Sequence, residues 1–505
     1  NRANNPPAGV TPPAPDLADP GLNAGGGRGG RGGPPNIINA PPNPDAFRFY
    51  WNAPFEISPH NPSVVYTASQ FFFKSNNRGD SWWMSYTDLS KNVNRWSPEM
   101  PIMNVAGDKP MAEKHDGYSA SSLSTQVRES PSRPGVIWIG TDDGNLQLSQ
   151  NGGETFTNVY GNINGAPRGY ALISRIEPSH FDPGTAYVSI DAHKTDDWKP
   201  YLFKTIDFGK TWSSVAGNLP AKGHINAVRE DYDNPNLLFV GTEFGLYVTL
   251  DGGKEWKKFM HGLPTVRVDD ILIHPRDRDL IVATHGRSIW IVDDITPLEQ
   301  LKAPPKTDLV LFDPRPAIQW KNDPQAQRHS GNRDFVAKNP QGGTAINIWA
   351  KSDLGAAQLE FLQGTNVAST MKVDLKAGMN RFQWGMRGPV PAGAGAGGGR
   401  GGRGGGQGEQ PAGAAQPGAN PPPAAEAQAV PQFGGGGGGG GGGRRGAITG
   451  VPFVAARGGG GGGFGGFGAV APLVDPGVYM VRLTVGDKVL QSSVNVLEDI
   501  WMRPQ

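Results

Sequence analysis

The 505-residue sequence contains no cysteine. Disulfides and thiolate chemistry are therefore excluded, and a thiol-free chain is compatible with a protein that works outside the cytoplasm. The sequence also lacks any run close to the roughly 20 apolar residues of a transmembrane helix, so we expect no transmembrane segment. The sequence also lacks an excess of either charge. Its 47 Lys and Arg residues and 46 Asp and Glu residues give a net charge of +1, which provides no general attraction to nucleic acid.

Apolar residues are few, at 37%, whereas glycine and proline number 74 and 46. Two segments concentrate the glycine and proline: an N-terminal arm, residues 1–45, and a Gly/Ala/Pro-rich insertion, residues 389–470. Neither buries enough apolar surface to offset the entropy of ordering, so each stays disordered unless contacts hold it. Arg-Gly-Gly runs in both segments can bind RNA. The balanced net charge nevertheless favours flexible or partner-ordered linkers over nucleic-acid binding.

An eight-residue frame occurs four times: SNNRGDSW (75–82), SQNGGETF (149–156), TIDFGKTW (205–212) and TLDGGKEW (249–256). The Gly-Lys-Thr of the third copy is not a phosphate-binding loop, because the required upstream glycine is replaced by Lys204. The frame instead predicts a tight turn, in which Asp or Asn binds backbone N–H groups and glycine takes a positive φ. The expected structural residues are Ser75, Asn77, Gly79, Trp82, Ser149, Asn151, Gly153, Phe156, Thr205, Asp207, Gly209, Trp212, Thr249, Asp251, Gly253 and Trp256.

Each frame ends a longer unit of short β-branched and aromatic strands, and a fifth unit without a frame ends in THGRSIWIVDDI (284–295). Such units suit four-stranded propeller blades. Further on, VYMVRLTV (478–485) and the turn after it read as the closing hairpin of an Ig-like β-sandwich. We therefore predict an all-β chain: about five blades over residues 46–300, a linker over 301–339, and an Ig-like sandwich over 340–388 and 471–499.

These repeats resemble the Asp-box, or BNR-like, β-propeller superfamily of sortilin-type receptors, sialidases and xyloglucanases. Residues 46–300 look more closely like the second half of large secreted bacterial proteins with sortilin-like repeats. The resemblance implies an extracytoplasmic location: periplasmic, cell-surface or secreted. It also implies that five blades are too few for a closed ring, so the expected partner is an upstream propeller half or another subunit, with a homo-oligomer as a further option. The C-terminal module resembles one that mediates attachment or sorting.

Candidate chemistry is sparse. The nine histidines form no recognisable metal-binding pair on one helical face. One local cluster, Asp191, His193, Asp196 and Asp197, contains metal-ligand types, although a solvated loop is favoured over a calcium site. No cofactor is expected. Glycoside hydrolysis needs two carboxylates across a sugar-binding cleft, and the third frame position is Asn in two copies. A sialidase constellation is not recognisable.

Exposed aromatic residues suggest interaction instead. Phe71, Phe73 and Trp83 lie on one aromatic stretch and cannot all face a blade core, because successive strand residues point to opposite faces. Together with Arg287 they are the candidate interaction residues. The sequence therefore favours an exported, non-catalytic propeller scaffold for protein–protein interaction or assembly. The alternative is a glycoside hydrolase or carbohydrate-binding protein whose cleft is completed by a separate N-terminal half.

Overall fold

The computed structural model describes residues 47–92, 122–301, 305–321, 342–389 and 471–500. In these ranges almost all regular structure is β-strand, which confirms the all-β prediction. The helical elements described are α1 (Thr296–Gln300) and two 3-10 turns (Tyr160–Asn162 and His193–Thr195). None of the described helices is long or apolar enough to cross a membrane. The predicted N-terminal arm and nearly all of the glycine-rich insertion lie outside the described residues.

Five antiparallel sheets follow one another along the chain as propeller blades. The first blade contains β1 (Phe55–Ile57), β2 (Val65–Ala68), β3 (Phe72–Ser75) and β4 (Trp83–Met84). The second contains β5 (Ser124–Glu129), β6 (Ile137–Thr141), β7 (Leu146–Ser149) and β8 (Thr157–Asn158). The third contains β9 (Leu172–Pro178), β10 (Ala186–Ala192), β11 (Asp197–Thr205) and β12 (Ser213–Ser214).

The fourth blade contains β13 (Ile225–Glu230), β14 (Leu238–Thr242), β15 (Gly245–Thr249) and β16 (Lys257–Lys258). The fifth blade has three described strands, β17 (Val268–Ile273), β18 (Leu280–Thr284) and β19 (Ile289–Val292). In blades two to four the second strand is buried along its whole length. Those strands consist mostly of apolar or small residues, because a neighbouring blade covers each face.

The four eight-residue frames adopt the same hydrogen-bonded turn. In the third copy the Thr205 hydroxyl donates to Asp207 at 2.9 Å and accepts the Gly209 N–H at 2.9 Å. The Asp207 carboxylate accepts the Thr211 N–H at 2.9 Å. Corresponding bonds join Ser75 to Asn77 and Gly79, Ser149 to Asn151 and Gly153, and Thr249 to Asp251 and Gly253. The fifth-position glycines have φ between 75° and 98°, which glycine adopts at little cost.

In blades two to four the frame also contacts the preceding blade. The aromatic residues of two frames lie edge-on to rings of the blade before: Phe156 to Phe72 at 5.5 Å between centroids, and Trp212 to Trp138 at 6.1 Å. In the fourth blade, the Trp256 indole N–H donates to the Val215 carbonyl of the third at 2.9 Å. The frame is therefore both a turn and a blade-to-blade contact.

Blades three and four are joined by polar contacts of their inner strands. Glu177 accepts the backbone N–H of Glu230 at 3.2 Å, and its carboxylate pairs with Arg229 at 3.0 Å. The Ser179 hydroxyl donates back to Glu230 at 3.1 Å. The same three contacts recur between blades one and two, where the corresponding residues are Glu56, Glu129, Arg128 and Ser58.

The rest of the described chain forms two sheets packed face to face. One sheet contains β20 (Leu309–Leu311), β22 (Thr344–Ala350) and β25 (Gly378–Trp384). The other contains β21 (Ala317–Gln319), β27 (Lys488–Glu498), β26 (Gly477–Val485), β23 (Gly355–Gln363) and β24 (Asn366–Leu375). Trp384 of the first sheet stacks on Phe361 of the second with centroids 4.0 Å apart. The segment that we assigned to a linker therefore supplies one strand to each sheet.

A buried carboxylate connects the end of the fifth blade to this sandwich. Asp294, which follows β19, accepts the Thr296 hydroxyl at 2.6 Å and the Asn347 amide at 3.2 Å. Arg381 donates to the same carboxylate at 3.4 Å and to the Asp293 carbonyl at 2.7 Å. Residues of the sandwich thus fix the segment that leaves the propeller.

Candidate functional site

Polar residues gather at one end of the blades, where the turn between the second and third strands meets the entrance of the inner strand. One backbone hydrogen bond repeats there in three blades: Asp142 to Leu123, Glu243 to His224 and His285 to Arg267, at 3.0, 3.2 and 2.9 Å. We call this end the polar face. Its titratable residues include Asp142, Asp143, Asp191, His193, His224, Glu243, Arg267, Asp269 and His285.

The densest cluster on the polar face lies between blades three and four. Asp191 is the last residue but one of β10, and its carboxylate is 2.7 Å from Nδ1 of His193. His224 precedes β13 and brings Nε2 to 3.6 Å from Asp191 Oδ2. The two imidazole rings stack with centroids 4.8 Å apart, and Trp198 lies beside both rings. Potential ligand atoms of Asp191, His193 and His224 all lie within 4.8 Å of one another.

The protonation of this cluster follows from its burial. His224 is 2% exposed, and burial lowers its pKa, which favours the neutral ring. Burial alone would raise the pKa of Asp191, but the His193 hydrogen bond and the nearby imidazoles hold it below its usual value. A carboxylate next to a neutral imidazole supplies the oxygen and nitrogen ligand atoms that bind metal cations.

His224 has a second acidic neighbour in Glu243, whose Oε2 lies 3.3 Å from His224 Nε2. Neither His224 ring nitrogen, nor Glu243 Oε2, makes a hydrogen bond within the described part of the chain. Beyond Glu243 the charges continue to Arg267, 3.9 Å away, which binds Asp269 at 2.6 Å.

A separate buried group occupies the second-blade part of the polar face. Asp142 is fully buried, accepts the Leu123 N–H at 2.8 Å and accepts the Tyr170 hydroxyl at 2.5 Å. Burial, with the charge of Asp143, raises the pKa of Asp142 to about 7. Burial raises the pKa of Tyr50, and the nearby charges of Asp142 and Asp191 raise it further.

Of the four ligands suggested by the sequence, Asp191 and His193 lie in the cluster. Asp196 instead accepts the Trp198 indole N–H at 3.1 Å, and Asp197 accepts the Tyr201 hydroxyl at 2.6 Å. Sequence reasoning missed His224 because it comes from the next blade. Its position before an inner strand, matching that of Arg267 in the fifth blade, was the available signal.

The aromatic candidates divide between the two faces of the first blade. Phe71 is buried and lies edge-on to Phe47, while the partly exposed Phe73 contacts Phe47 at 5.5 Å between centroids. Trp83 lies edge-on to Phe72, whose ring packs toward the second blade. Only Phe71 and Phe73 therefore belong to the side away from the second blade.

That outer side of the first blade is apolar and open. Phe55, Thr67 and Phe73 lie opposite one another across β1, β2 and β3, so their side chains share one face. Phe55 remains 62% exposed and Ile57 55% exposed. Among the described residues, Phe47 and Phe49 pack on Phe73, and the part of the surface around Phe55 and Ile57 stays open.

The fifth blade has a matching open face. Leu272, Ile281 and Ile291 lie opposite one another across its three strands. Ile291 is 57% exposed and Ile289 64% exposed, with Arg287 exposed just before them. Within the described ranges, β19 is paired with β18 on one edge only. The series of blades thus ends in an apolar face at each end.

A cleft of about 710 Å³ lies where the fifth blade meets the sandwich. Its wall includes Trp320, with the Arg276 guanidinium 5.1 Å from the ring centroid. Arg276 also donates to Asp277 at 2.9 and 2.5 Å. These two charged side chains bind each other, so this wall presents mainly apolar surface.

Comparisons with known proteins return distant propeller-type structures. The chain is similar to the GH74 xyloglucanase from Xanthomonas campestris (18% identity, TM-score 0.35, 52% of this chain and 40% of that one). It is similar to the Niastella koreensis GH74 enzyme (17%, 0.35, 59% and 41%) and to YCF48 bound to D1 peptide (12%, 0.29, 61% and 82%). The chain thus spans about two fifths of either GH74 protein. No protein-family model and no curated protein sequence matches it.

Proposed function

We propose that this chain is part of a non-catalytic β-propeller scaffold that acts through protein–protein interaction. The observation that carries the proposal is the pair of apolar faces at the two ends of the blade series. Contiguous exposed apolar surface on a folded protein marks an interaction site. Full burial of each Leu, Ile or Phe side chain contributes about 1.5–3 kcal/mol.

The occupant that fits these faces is further propeller blades, supplied by an upstream propeller half or by another subunit. In blades two to four the frame contacts the preceding blade, and a Cβ added to Gly153, Gly209 or Gly253 would meet a residue of that blade. At Gly79 of the first blade, the nearest such neighbour is its own Trp82, at 3.7 Å. The frame of the first blade can therefore pack on a preceding blade in the same way. No preceding blade is present among the described residues.

The resemblance noted above supports the setting of this scaffold. Asp-box repeats of the sortilin-like type and an Ig-like C-terminal sandwich are typical of exported proteins. We place the protein outside the cytoplasm, with the sandwich serving attachment or sorting. A glycoside hydrolase draws less support, because Glu56 and Glu177 at the inner strands are bound by arginine and backbone N–H groups.

The scaffold is tested by charging one open face. Ile291→Lys places a cation in the fifth-blade face, and we expect the protein to lose the partner that co-purifies and co-elutes with the unaltered chain. Val489→Lys is the matched control, since Val489 is 55% exposed on a strand of the sandwich. Sequencing of the partner by mass spectrometry should find additional copies of the frame. A monomer that elutes identically in all three forms would contradict the proposal, and screening for glycan hydrolysis would follow.

A further inference from the structure

We infer that the polar face binds a divalent transition-metal ion of the zinc class between blades three and four. The ligands assigned are Asp191, His193 and His224, with Glu243 beside them. This inference is independent of what covers the open faces of the propeller.

The separations of the donor atoms suit one ion. Tetrahedral coordination with metal–ligand bonds of about 2.1 Å places neighbouring ligand atoms about 3.4 Å apart. His224 Nε2 lies 3.6 Å from Asp191 Oδ2 and 3.3 Å from Glu243 Oε2. His224 Nε2 therefore lies at about the ligand-to-ligand distance from one oxygen of each carboxylate, and the potential ligand atoms of Asp191, His193 and His224 all lie within 4.8 Å of one another.

The second observation is the state of His224. Its side chain is 2% exposed, and neither ring nitrogen has a hydrogen-bond partner among the described residues. Buried polar groups in proteins are nearly always hydrogen-bonded or ligated, because an unpaired group keeps the full cost of desolvation. Nε2 lies close to two carboxylates, and the nearer oxygen, Glu243 Oε2, likewise makes no hydrogen bond among the described residues and has Arg267 3.9 Å away. An ion at this point satisfies both atoms.

His193 completes the donor set after a local movement. Its ring now stacks on His224 with an interplanar angle of 20°, so the two in-plane lone pairs do not converge. The described partners of its ring are the Asp191 carboxylate and neighbouring aromatic rings, and its side chain is 32% exposed. The His193 ring can therefore turn so that the ion replaces the proton shared with Asp191. Trp198 shields the site on one side.

The donor types select the ion. Calcium and magnesium prefer oxygen ligands, whereas two imidazoles with carboxylates suit zinc and neighbouring first-row ions. The site joins the end of β10 to the loop before β13, so a bound ion ties one blade to the next.

The inference is tested by calorimetric titration of the metal-free full chain with Zn²⁺, and with Ca²⁺ in parallel. We expect one Zn²⁺ per chain, weak or no Ca²⁺ binding, and an affinity at least about tenfold lower in His193→Ala. His193→Ala alters a partly exposed side chain and should fold normally. His285→Ala is the matched control, because this exposed histidine of the same face lies 3.5 Å from Asp269 and outside the cluster.

Co²⁺ provides an independent readout, since tetrahedral coordination by nitrogen and oxygen gives intense visible absorption. This band should appear with the unaltered protein and with His285→Ala, and should be lost in His224→Gln. Failure of the unaltered protein to bind Zn²⁺, preference for Ca²⁺, or equal Zn²⁺ affinity in His193→Ala and His285→Ala would each overturn the inference.

Discussion

The Glu177 carboxylate of the third blade accepts the backbone N–H of Glu230 in the fourth at 3.2 Å. Arg229 binds the same carboxylate at 3.0 Å, and Glu177 is only 3% exposed at its side chain. One carboxylate thus links two blades through a backbone group and a buried ion pair. Because the first two blades repeat these contacts, the linkage is a regular part of the architecture.

Removing Arg229, the cation of this buried ion pair, should lower the stability of the protein. Arg229→Ala leaves Glu177 buried without its counter-ion, and we expect the free energy of unfolding to fall by about 3–5 kcal/mol. Lys257→Ala removes a partner from an ion pair whose side chains are both more than 60% exposed. That control should change stability by less than about 1 kcal/mol. Chemical denaturation measures both, and equal effects would show that the buried pair is not a blade connection.

Because the frame packs on the preceding blade, we predict that replacing its glycine lowers the stability of the protein. Gly153 has a φ of 95°, and an added Cβ would lie 2.2 Å from the buried Phe72 ring of the first blade. Gly153→Ala should therefore destabilise the protein by about 2–4 kcal/mol through backbone strain and displacement of the ring. Gly262→Ala, with a similar φ of 78° and open space around it, carries the backbone strain alone. Denaturant midpoints that shift equally would contradict the contact.

The raised pKa of Asp142 predicts that the stability of the protein depends on pH. Its folded-state pKa of about 7 lies above the ordinary value of 3.8, because burial disfavours the charged form. The stabilising contribution of the protonated group is therefore complete below about pH 4 and is lost as the pH rises through about 7. Asp142→Asn removes this titration. We expect the unaltered protein to lose stability relative to the variant between pH 4 and 8, whereas a constant difference would contradict the assignment.

The hydrogen bonds of Asp294 connect the propeller to the sandwich, and we predict that they couple the unfolding of the two parts. Asp294→Ala leaves Asn347 and Arg381 without their shared acceptor, and we expect a loss of about 2–4 kcal/mol. Asp294→Asn retains an acceptor oxygen and tolerates the φ of 59° at this position, so it should lose less. Calorimetry should show the melting of the two parts separating in the alanine variant. A single unchanged transition would sink the idea.

Local features of this fold could be predicted from the sequence. The turn at Thr205–Asp207–Gly209 depends on residues within a few positions of one another, so its pattern is readable in each copy. The alternation in β26 and the all-β character are equally local. Both follow from the period of the side chains rather than from tertiary context.

Features that depend on contacts between blades could not be read in this way. His224 meets Asp191 only because the third and fourth blades pack side by side, and no spacing rule connects them. Leu309–Leu311 and Ala317–Gln319 are too short to identify as strands until their sheets exist. Phe71 became buried because Phe47, in a segment without repeats, lies against it.

The most direct test of the open propeller is native mass spectrometry of the protein purified from its source. The account predicts an assembly in which this chain is stoichiometric with a second polypeptide, whose peptides contain further eight-residue frames. A homogeneous monomer at all concentrations measured, with the apolar faces around Phe55 and Ile291 open to solvent labelling, would contradict it.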